Sequence, residues 1–438
     1  MKQHDVVVIG AGIGGLSTAA LLSARGVSCL VLEKNSFPGG RASWVERDGF
    51  VMDYGLHVNR YAGQGRAAEV LRRIGEKPRF IPTGTPLYYD GGKMTPLPRG
   101  ALKILTTPLL SFSSRVQMLK ILVSSLTGRT KTDLAGVSVK RWLGEHGIVQ
   151  PDLVELVQLL CGAGIICPDL EKASAEELFY FLLHAVKARH ATGYLLGGWR
   201  ALFGSLLRAV AKTGAVEYGA KVEGVAVEDG RAAGVVCEGR FVRGKAVVCS
   251  VPLQQAAGIL DEAHLPESVR EKIKTLEPTC GISYDFCLRT RVTDVDGIVL
   301  TLDPCTMGMF TSNVEPAAAP RGRQLGAWFY PIPREDMDDR EFLSREKKKL
   351  RSLVEEMFPG VRGAVEYERV IEMRMVDGAM PKVGQTSRDR PAVDCAPAPN
   401  LFFAGDTVGA EGHGGDVAFS SALLCAPLVE KTLLAEPL

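Results

Sequence analysis

Hydrophobic and polar positions at the start of the chain predict a strand, a helix and a second strand. Residues 5–10 (DVVVIG) are a continuous apolar run rich in β-branched residues, as in a strand buried on both faces of a parallel sheet. LSTAALLSARG then has helical periodicity and ends at Gly26. SCLVLE, which ends at Glu33, is the second apolar strand.

Patterns of both kinds recur further along the chain. GGWRALFGSLLRAVAKTG predicts an amphipathic helix bounded by glycines. Residues 215–252 alternate like a three-stranded meander, with hairpin turns at 229–230 and 238–239. A strand, a Gly-Asp turn and a helix follow in NLFFAGDTVGAEGHGGDVAFSSALL, near the other end.

Two segments interrupt this pattern. Residues 93–196 are mostly helical in pattern, as in SAEELFYFLLHAVKARH. Residues 256–385 mix strands such as GISYDFCLRT with helices near 266–275 and 342–357. One face of that strand is an apolar wall, which is either protein core or the side of a substrate pocket. The wall consists of Ile282, Tyr284, Phe286 and Leu288.

Three glycines between the first strand and helix have GxGxxG spacing. Gly10 permits a tight turn, Gly12 lets a pyrophosphate approach the backbone, and Gly15 lets helix and strand pack closely. The helix N-terminus offers free N–H groups to the phosphates. Glu33 is placed to accept hydrogen bonds from ribose hydroxyls, and its charge disfavours a 2′-phosphate. These features predict a dinucleotide site and leave FAD and NAD open.

A second pair of glycines, Gly39 and Gly40, precedes Arg41 in FPGGRAS. Backbone N–H groups and a guanidinium together form another phosphate clamp, which a longer ligand threading past the first helix requires. The alternative is a surface turn with a solvated arginine. The clamp favours FAD.

The C-terminal glycines predict the flavin end of the site. Asp406 at a strand end can accept ribityl hydroxyls, and residues 414–416 open a helix whose dipole could face a reduced flavin. A carboxylate beside a reduced flavin would oppose its negative charge. We therefore expect Asp416 to cap its own helix, with the N–H groups of Asp416 and Val417 facing the ring.

Together these motifs resemble the flavin-containing amine oxidase and phytoene desaturase superfamily, which includes protoporphyrinogen oxidase and carotenoid isomerase. The resemblance rests on GxGxxG with Glu33, GGRA, DYGLH and FFAGD…GGD, and is strongest to phytoene desaturase-like proteins. It implies one FAD, with Val222 at its adenine end. The residues predicted to bind FAD are Gly10, Gly12, Ile13, Gly14, Gly15, Glu33, Lys34, Gly40, Arg41, Gly55, Leu56, Val222, Gly405, Asp406, Gly415, Asp416 and Val417.

The resemblance also implies an α/β fold with a discontinuous, Rossmann-like FAD-binding domain of the glutathione-reductase type. We assign residues 1–92, 197–255 and 386–438 to that domain. Residues 93–196 would form a helical cap, and residues 256–385 a substrate domain built on a mixed sheet.

The amino-acid composition argues against several classes of partner. The 52 Lys and Arg residues balance 50 Asp and Glu, so no global field favours nucleic acid. The ten cysteines show no metal-site spacing and no redox pair, so we expect reduced thiols and no metal. The sequence has no uninterrupted apolar run of about 18 residues, the length of a membrane span. Without a secretory signal pattern at the N-terminus, we expect a cytoplasmic protein.

The expected function is that of an FAD-dependent oxidoreductase. It would transfer a hydride between flavin N5 and a C–H bond of an apolar substrate, as in isoprenoid or polyene desaturation or isomerisation. The electron acceptor, a quinone or O2, stays open. An amine or porphyrinogen oxidase is one alternative, although TCGISYDFCL lacks the lysine that amine oxidases of this superfamily carry near N5. A non-catalytic FAD-binding module is the other.

The motifs identify no catalytic residue. His57 in DYGLH is a candidate, because this stretch runs beside the isoalloxazine in the family that the chain resembles. The alternative is a packed loop histidine. His413, two residues before the C-terminal helix, is a second candidate.

A basic and apolar segment lies in the helical insert. No acidic residue occurs between Asp90 and Asp133, while ALKILTTPLLSF and VQMLKILVSSL are apolar. An interfacial helix needs this combination, so residues 97–126 are predicted to contact a membrane surface. The alternative is a buried cap helix with solvated basic edges. The basic residues are Lys93, Arg99, Lys103, Arg115, Lys120, Arg129 and Lys131.

Overall fold

The computed structural model describes residues 4–126, 134–256, 258–260, 265–394 and 398–435. The strands in these residues are β1 His4–Ile9, β2 Cys29–Glu33, β3 Trp44–Arg47, β4 Phe50–Asp53, β5 Asn59–Arg60, β6 Phe80–Pro82, β7 Leu87–Tyr89, β8 Met94–Pro96, β9 Thr192–Leu195, β10 Ala215–Tyr218, β11 Val222–Glu228, β12 Arg231–Cys237, β13 Arg240–Cys249, β14 Gly281–Leu288, β15 Val299–Leu302, β16 Cys305–Met309, β17 Gln324–Pro331, β18 Val365–Met373 and β19 Leu401–Phe403. The helices are α1 Ile13–Ser23, α2 Arg66–Arg73, α3 Ala101–Thr106, α4 Phe112–Leu126, α5 Val139–Glu145, α6 Pro151–Ile165, α7 Ala175–Lys187, α8 Gly198–Val210, α9 Leu253–Ala256, α10 Glu267–Thr275, α11 Thr311–Val314, α12 Arg340–Met357, α13 Val361–Ala364 and α14 Gly415–Ala435.

The first sheet holds the predicted strand–helix–strand unit at its centre. Its strand order is β10-β2-β1-β13-β12-β11, with β19 beside β13. β1 runs parallel to β2 and β13. Its residues 6–8 are fully buried, because helices cover one face of the sheet and residues that include those of the meander strands cover the other. The predicted α/β class is confirmed.

The predicted meander is confirmed for β11, β12 and β13, which pair antiparallel. Its two turns have positive φ at both central residues, 50° and 73° at Asp229-Gly230 and 48° and 71° at Glu238-Gly239. This geometry matches the right-handed twist of the flanking strands. β10 is outside the meander, because it pairs parallel with β2 in the main sheet.

The second sheet has the order β18-β14-β17-β16-β15-β7-β8. The apolar wall on β14 packs with Leu343, Leu350 and Val354 of α12, so this face is protein core and not a pocket. The opposite face of the sheet carries Met307 and Phe329. The helices predicted near 266–275 and 342–357 are confirmed as α10 and α12.

The helical segment is also confirmed, with α3 to α7 packed around one apolar cluster. β7 and β8, which lie on either side of the boundary placed at residue 92, both pair within the second sheet. The domain boundaries themselves stay a prediction.

The C-terminal helix α14 is long and apolar enough, by length and composition, to cross a bilayer, with a mean hydropathy of 1.5. Half of its most apolar stretch is buried in the protein. Phe419, Ala422 and Val429 join the core cluster that contains Leu16 and Leu22 of α1. In this fold, α14 is therefore a core helix that packs with α1 beside the first sheet.

Candidate functional site

A cavity of about 630 Å³ extends from the carboxyl ends of β1, β2 and β13 to the second sheet. The carboxyl edge of a parallel sheet is the usual ligand site in such folds, and this volume is within the range of small-molecule pockets. The predicted residues that line the cavity are Gly10, Gly12, Ile13, Gly14, Glu33, Lys34, Gly40, Arg41, Gly55, Leu56, His57, Gly405, Asp406, His413, Gly415 and Asp416.

Three predicted residues are absent from the cavity lining: Gly15, Val222 and Val417. Val222 is 6% exposed and packs in the core cluster that includes Leu32 and Ala220. Both observations also suit a residue of the protein core, and its contact with the adenine end of FAD stays a prediction. The sequence places Val222 on a strand but gives no sign of which neighbours it meets.

The glycine-rich turn has the geometry that its spacing predicts. Gly10 has a φ of 97°, which makes the tight turn after β1. A Cβ on Gly15 would lie 2.1 Å from the carbonyl oxygen of Gly10, so only glycine lets α1 pack this closely. No heavy atom lies within 4 Å of the Cβ position of Gly12, which leaves room for a phosphate beside the N-terminus of α1.

Glu33 is fixed at the end of β2 by three hydrogen bonds. Its Oε2 accepts the backbone N–H of Ala11 at 2.8 Å, and its Oε1 accepts the backbone and side-chain N–H groups of Asn35, also at 2.8 Å. Because a carboxylate can accept about four hydrogen bonds, Glu33 retains capacity for a ribose hydroxyl. Its fixed orientation makes that contact geometrically specific.

Arg41 and Asp406 bind each other across the cavity wall. The two Nη atoms of Arg41 donate to the two carboxylate oxygens of Asp406 at 2.7 and 2.6 Å, and Gly378 N–H donates to Oδ2. Burial alone would raise the pKa of Asp406, but the guanidinium holds it below its usual value. Arg41 is therefore held by a carboxylate and is not only solvated, as the alternative required. Both side chains still line the cavity.

Asp377 lies beside this pair and was not predicted. It is 8% exposed, lines the cavity, and its Oδ2 has no hydrogen-bond partner. Burial raises its pKa to about 6, and repulsion from the Asp406 carboxylate adds to the increase. The sequence signal is weak, because an Asp-Gly turn after an apolar strand is common.

Asp416 does not cap its own helix, contrary to our expectation. Its buried carboxylate faces the backbone N–H of Arg66, the first residue of α2. Burial raises the pKa of Asp416 to about 6, although Arg60 and Arg66 attract its charge. The expected free N–H groups are also absent, because Asp416 N–H donates to His413 at 3.4 Å and Val417 N–H to Gly414 at 3.2 Å.

His57 is a buried histidine with one partnered and one unpartnered ring nitrogen. Its Nδ1 lies 2.8 Å from Asp53 Oδ2, and its ring stacks on Trp199 with 3.4 Å between centroids. Nε2 has no hydrogen-bond partner. Asp53 also accepts the hydroxyl of Tyr194. The structure brings His57 to the cavity and fixes its ring there.

His413 has a different environment. Its Nε2 lies 2.9 Å from Glu177 Oε2 in the interior, at the end of the cavity near α14. Burial lowers the pKa of His413, and the Glu177 carboxylate opposes that shift. His413 Nδ1 has no hydrogen-bond partner, so each of the two histidines has an unpartnered ring nitrogen.

The part of the cavity against the second sheet is apolar. Its wall includes Ile166, Ile298, Met307, Phe329 and Met373. The sequence did not predict these residues, because strand periodicity shows which side chains share a face but not which face meets the cavity. Lys34, exposed beside Glu33, is the only lysine among the described residues that line the cavity.

The cavity suits a flavin dinucleotide. Among the buried polar atoms of lining residues that lack partners are Asn59 Oδ1, Trp199 Nε1, Ser250 Oγ and Asp377 Oδ2, in addition to His57 Nε2. Each such atom costs about 1–3 kcal/mol unless a partner satisfies it. A ligand with a phosphate at Gly12, a ribose at Glu33 and further polar edges would provide such partners, so the residues present fit the group.

Comparisons with known sequences agree with this geometry. The chain matches the flavin containing amine oxidoreductase family over residues 13–429. It is 37% identical to prolycopene isomerase of Daucus carota over 92 residues, which is 20% of this chain and 15% of that protein. It is 32% identical to phytoene desaturase of Cercospora nicotianae over 146 residues, or 33% of this chain and 19% of that protein. The matched segments thus span less than a fifth of either relative.

Solved structures share the fold over nearly the whole chain. An oxidoreductase from Methanosarcina mazei has a TM-score of 0.81 and 22% identity, covering 97% of this chain and 99% of that one. Putrescine oxidase bound to putrescine has a TM-score of 0.77 and 18% identity, covering 99% of both chains. The family match across the chain and the shared fold lead to one conclusion: the protein belongs to the flavin-containing amine oxidoreductase family and is a flavin-dependent oxidoreductase.

Proposed function

We propose that the protein binds FAD and transfers a hydride between flavin N5 and a C–H bond of an apolar substrate, in isoprenoid or polyene desaturation or isomerisation. The observation that carries this proposal is the apolar side of the cavity against the second sheet, which includes Met307, Phe329 and Met373. An apolar chain gains free energy when it leaves water and contacts these side chains. A charged amine would lose its hydration there without a compensating partner.

The residues at the two ends of the cavity would have different roles. Gly12, Glu33 and Arg41 at one end would hold the phosphates and the ribose of FAD. When bound, FAD would supply the hydride acceptor. At the other end, the apolar wall would orient the substrate C–H bond and exclude water.

Amine oxidation is the second candidate, and the fold shared with putrescine oxidase favours it. Against it, the lysine expected near N5 is missing: among described lining residues, the only lysine is Lys34, at the nucleotide end. The segments shared with phytoene desaturase and prolycopene isomerase favour a polyene substrate. Membership in an oxidoreductase family argues against a non-catalytic module.

Anaerobic reduction of the bound flavin tests the proposal. Phytoene in detergent and putrescine in buffer serve as probes, and loss of flavin absorbance reports the transfer. With phytoene we expect either bleaching with a desaturated product, or an isomerised product without net bleaching, and with putrescine neither product nor bleaching. Bleaching by putrescine alone would establish amine oxidation instead. Reoxidation under argon with a quinone, compared with air, identifies the electron acceptor.

A further inference from the structure

We propose that the outer face of α3 and α4 docks on an anionic lipid membrane. Leu102, Leu105, Phe112, Val116 and Val123 define this outer face. They are five of the fourteen large apolar side chains that are exposed in the described residues. Leu102 is 74% exposed, Phe112 77% and Val123 58%. Apolar side chains clustered this way mark an interaction surface.

Helix α4 is apolar on two opposite sides. Met118, Ile121 and Leu122 face inward and join the apolar cluster of the helical segment. Phe112, Val116 and Val123 follow the spacing of one stripe on the other side. A helix on the surface of a soluble protein needs only the inward stripe. The second stripe therefore requires a further apolar contact.

Charge indicates which partner covers the outer face. Lys103 and Lys120 are exposed at this face, and no acidic residue occurs in residues 91–132. Lysines around an apolar stripe complement anionic headgroups, while the stripe enters the acyl boundary. The predicted alternative, a buried cap helix with solvated edges, describes only the inward side.

The basic set that meets lipid is smaller than the sequence predicted. Arg115 is half-buried, and its guanidinium donates to the carbonyls of Leu110 at 3.0 Å and Thr107 at 2.7 Å. It holds the connection between α3 and α4, so it serves the fold. Arg129 and Lys131 lie outside the described residues.

Flotation of the holoenzyme with phosphatidylcholine vesicles, with and without phosphatidylglycerol, tests the membrane proposal. We expect flotation with the anionic vesicles at low salt and its loss at high salt. The double variant Leu102→Ser with Phe112→Ser should lower the partition coefficient about ten-fold or more. Val149→Ser with Leu434→Ser is the matched control, since those side chains are 75% and 81% exposed elsewhere. It should float like the wild type.

Replacing Lys103 with Gln should weaken partitioning about five-fold, and Lys212→Gln should leave it unchanged. Failure of the wild type to float with anionic vesicles overturns the proposal. Equal flotation of the wild type and the Leu102/Phe112 variant also overturns it. A wild-type dimer that this variant converts to monomer, without vesicle binding, would assign the outer face to a second copy of the chain.

A separate observation concerns His57, and it rests on the proposed function. We infer that His57 Nε2 accepts the proton that a desaturation step releases. The carboxylate of Asp53 can only accept hydrogen bonds, so His57 Nδ1 must carry the hydrogen between them. When the imidazole is neutral, Nε2 is then the acceptor nitrogen, and it is buried without a partner in a residue that lines the cavity.

The surroundings keep the ring in one orientation. Trp199 stacks on it nearly parallel, at 14°, and donates its backbone N–H to Asp53 at 3.4 Å. Arg369 donates to the backbone carbonyl of Asp53 at 2.6 Å and fixes that residue in turn. A base oriented by a carboxylate is the usual arrangement of a proton acceptor in an enzyme.

The step balances without a further reactant. FAD held in the cavity would be the oxidant that takes a hydride from one substrate carbon, so the substrate would be oxidised and the flavin reduced. The adjacent carbon gives its proton to His57 Nε2, and the electron pair of that C–H bond forms the double bond. Asp53 stabilises the charge on the protonated ring and acts as a positioning residue.

The tautomer of His57 tests this role without any substrate. Nitrogen-15 NMR of histidine-labelled protein distinguishes Nδ1–H from Nε2–H, and His57→Gln identifies the signal among seven histidines. We expect the Nδ1–H form in the wild type. Asp53→Asn offers an amide that can donate to Nδ1, so it should increase the Nε2–H form.

Flavin reduction by phytoene provides the second readout. In His57→Gln the first-order rate should fall about 10²- to 10⁴-fold, with the apparent phytoene affinity changed only a few-fold. His146→Gln is the control, because His146 also stacks on a tryptophan and contacts a carbonyl, but is absent from the cavity lining. An Nε2–H form in the wild type, or a normal rate in His57→Gln, overturns the inference. If phytoene fails to reduce the flavin of the wild type, the proposed substrate is wrong. The tautomer measurement alone then tests the inference about His57.

Discussion

The Cα of Gly405 lies 2.9 Å from the position that a Cβ on Gly14 would occupy. The start of α1 and the turn after β19 therefore touch through bare backbone, although they come from opposite ends of the chain. This close approach joins the glycine-rich turn to the turn that carries Asp406.

Gly14→Ala should destabilise the protein itself. The added methyl meets backbone atoms of Gly405, which cannot move aside as a flexible side chain would. We expect the free energy of unfolding of the ligand-free protein to fall by about 1–3 kcal/mol, measured by urea denaturation. FAD affinity should fall as well. A variant with wild-type stability would show that the two turns can separate.

Gly12→Ala is the matched substitution with the opposite profile. Its Cβ meets nothing within 4 Å and its φ of −76° suits alanine, so unfolding should change by less than about 1 kcal/mol. The methyl would occupy the space for the phosphate, so FAD titration should show clearly weaker binding. Normal FAD binding would place the phosphates elsewhere.

Glu33→Ala should weaken the binding of FAD by about 1–3 kcal/mol, since it removes an acceptor for the ribose hydroxyls. It also removes the partner of Ala11 N–H, so unfolding must be measured alongside binding. Calorimetric titration of the ligand-free protein gives the affinity. An unchanged affinity would remove Glu33 from the site.

Asp377 and Asp406 should affect stability with opposite dependence on pH. The folded-state pKa of Asp377, about 6, lies above the unfolded value of about 3.9, so folding favours its protonated form. That stability is present below about pH 4 and is lost as the pH rises through 6. Asp377→Asn should therefore raise the free energy of unfolding by about 1–3 kcal/mol at neutral pH and have little effect below pH 4.

Asp406 has a lowered pKa, so its contribution is present above the unfolded pKa and is lost as the pH falls through the folded value. Asp406→Asn should destabilise the protein by about 1–3 kcal/mol at neutral pH, a range that allows for Arg41 being a third exposed. Denaturation of the ligand-free variants across this pH range checks both signs. Parallel curves for the wild type and Asp377→Asn would contradict the raised pKa.

Substitutions at Ile282 and Met373 should affect different properties: the first the free energy of unfolding, the second the phytoene KM. Ile282 is fully buried against α12, so Ile282→Ala should cost about 2–5 kcal/mol of unfolding free energy with little change in the phytoene KM. Met373 lines the cavity, and Met373→Ala should alter that KM. An unchanged KM in Met373→Ala would exclude this wall from the substrate site.

Local geometry was predictable from the sequence, whereas long-range contacts were not. The roles of Gly10 and Gly15 follow from a turn and a helix that are adjacent in sequence. The partner of Asp416 is at the start of α2, far away in the sequence, and no motif connects the two segments. Alternation on β14 identified the face of Ile282, but only the position of α12 shows that this face is core.

The arrangement at Gly14 and Gly405 also sets the order of events during synthesis. A ribosome completes Gly12, Glu33 and Arg41 long before it makes β19, which pairs with β13, and Asp406, which fixes Arg41. The nucleotide end of the site is therefore incomplete until the last part of the chain has been made. On the proposed assignment of this end to the nucleotide, a chain that lacks β19 and Asp406 should bind FAD more weakly than the folded protein, and bound FAD should stabilise the folded form. The flavin content of a preparation should therefore rise with the fraction of molecules in which the segments of Gly14 and Gly405 are in contact.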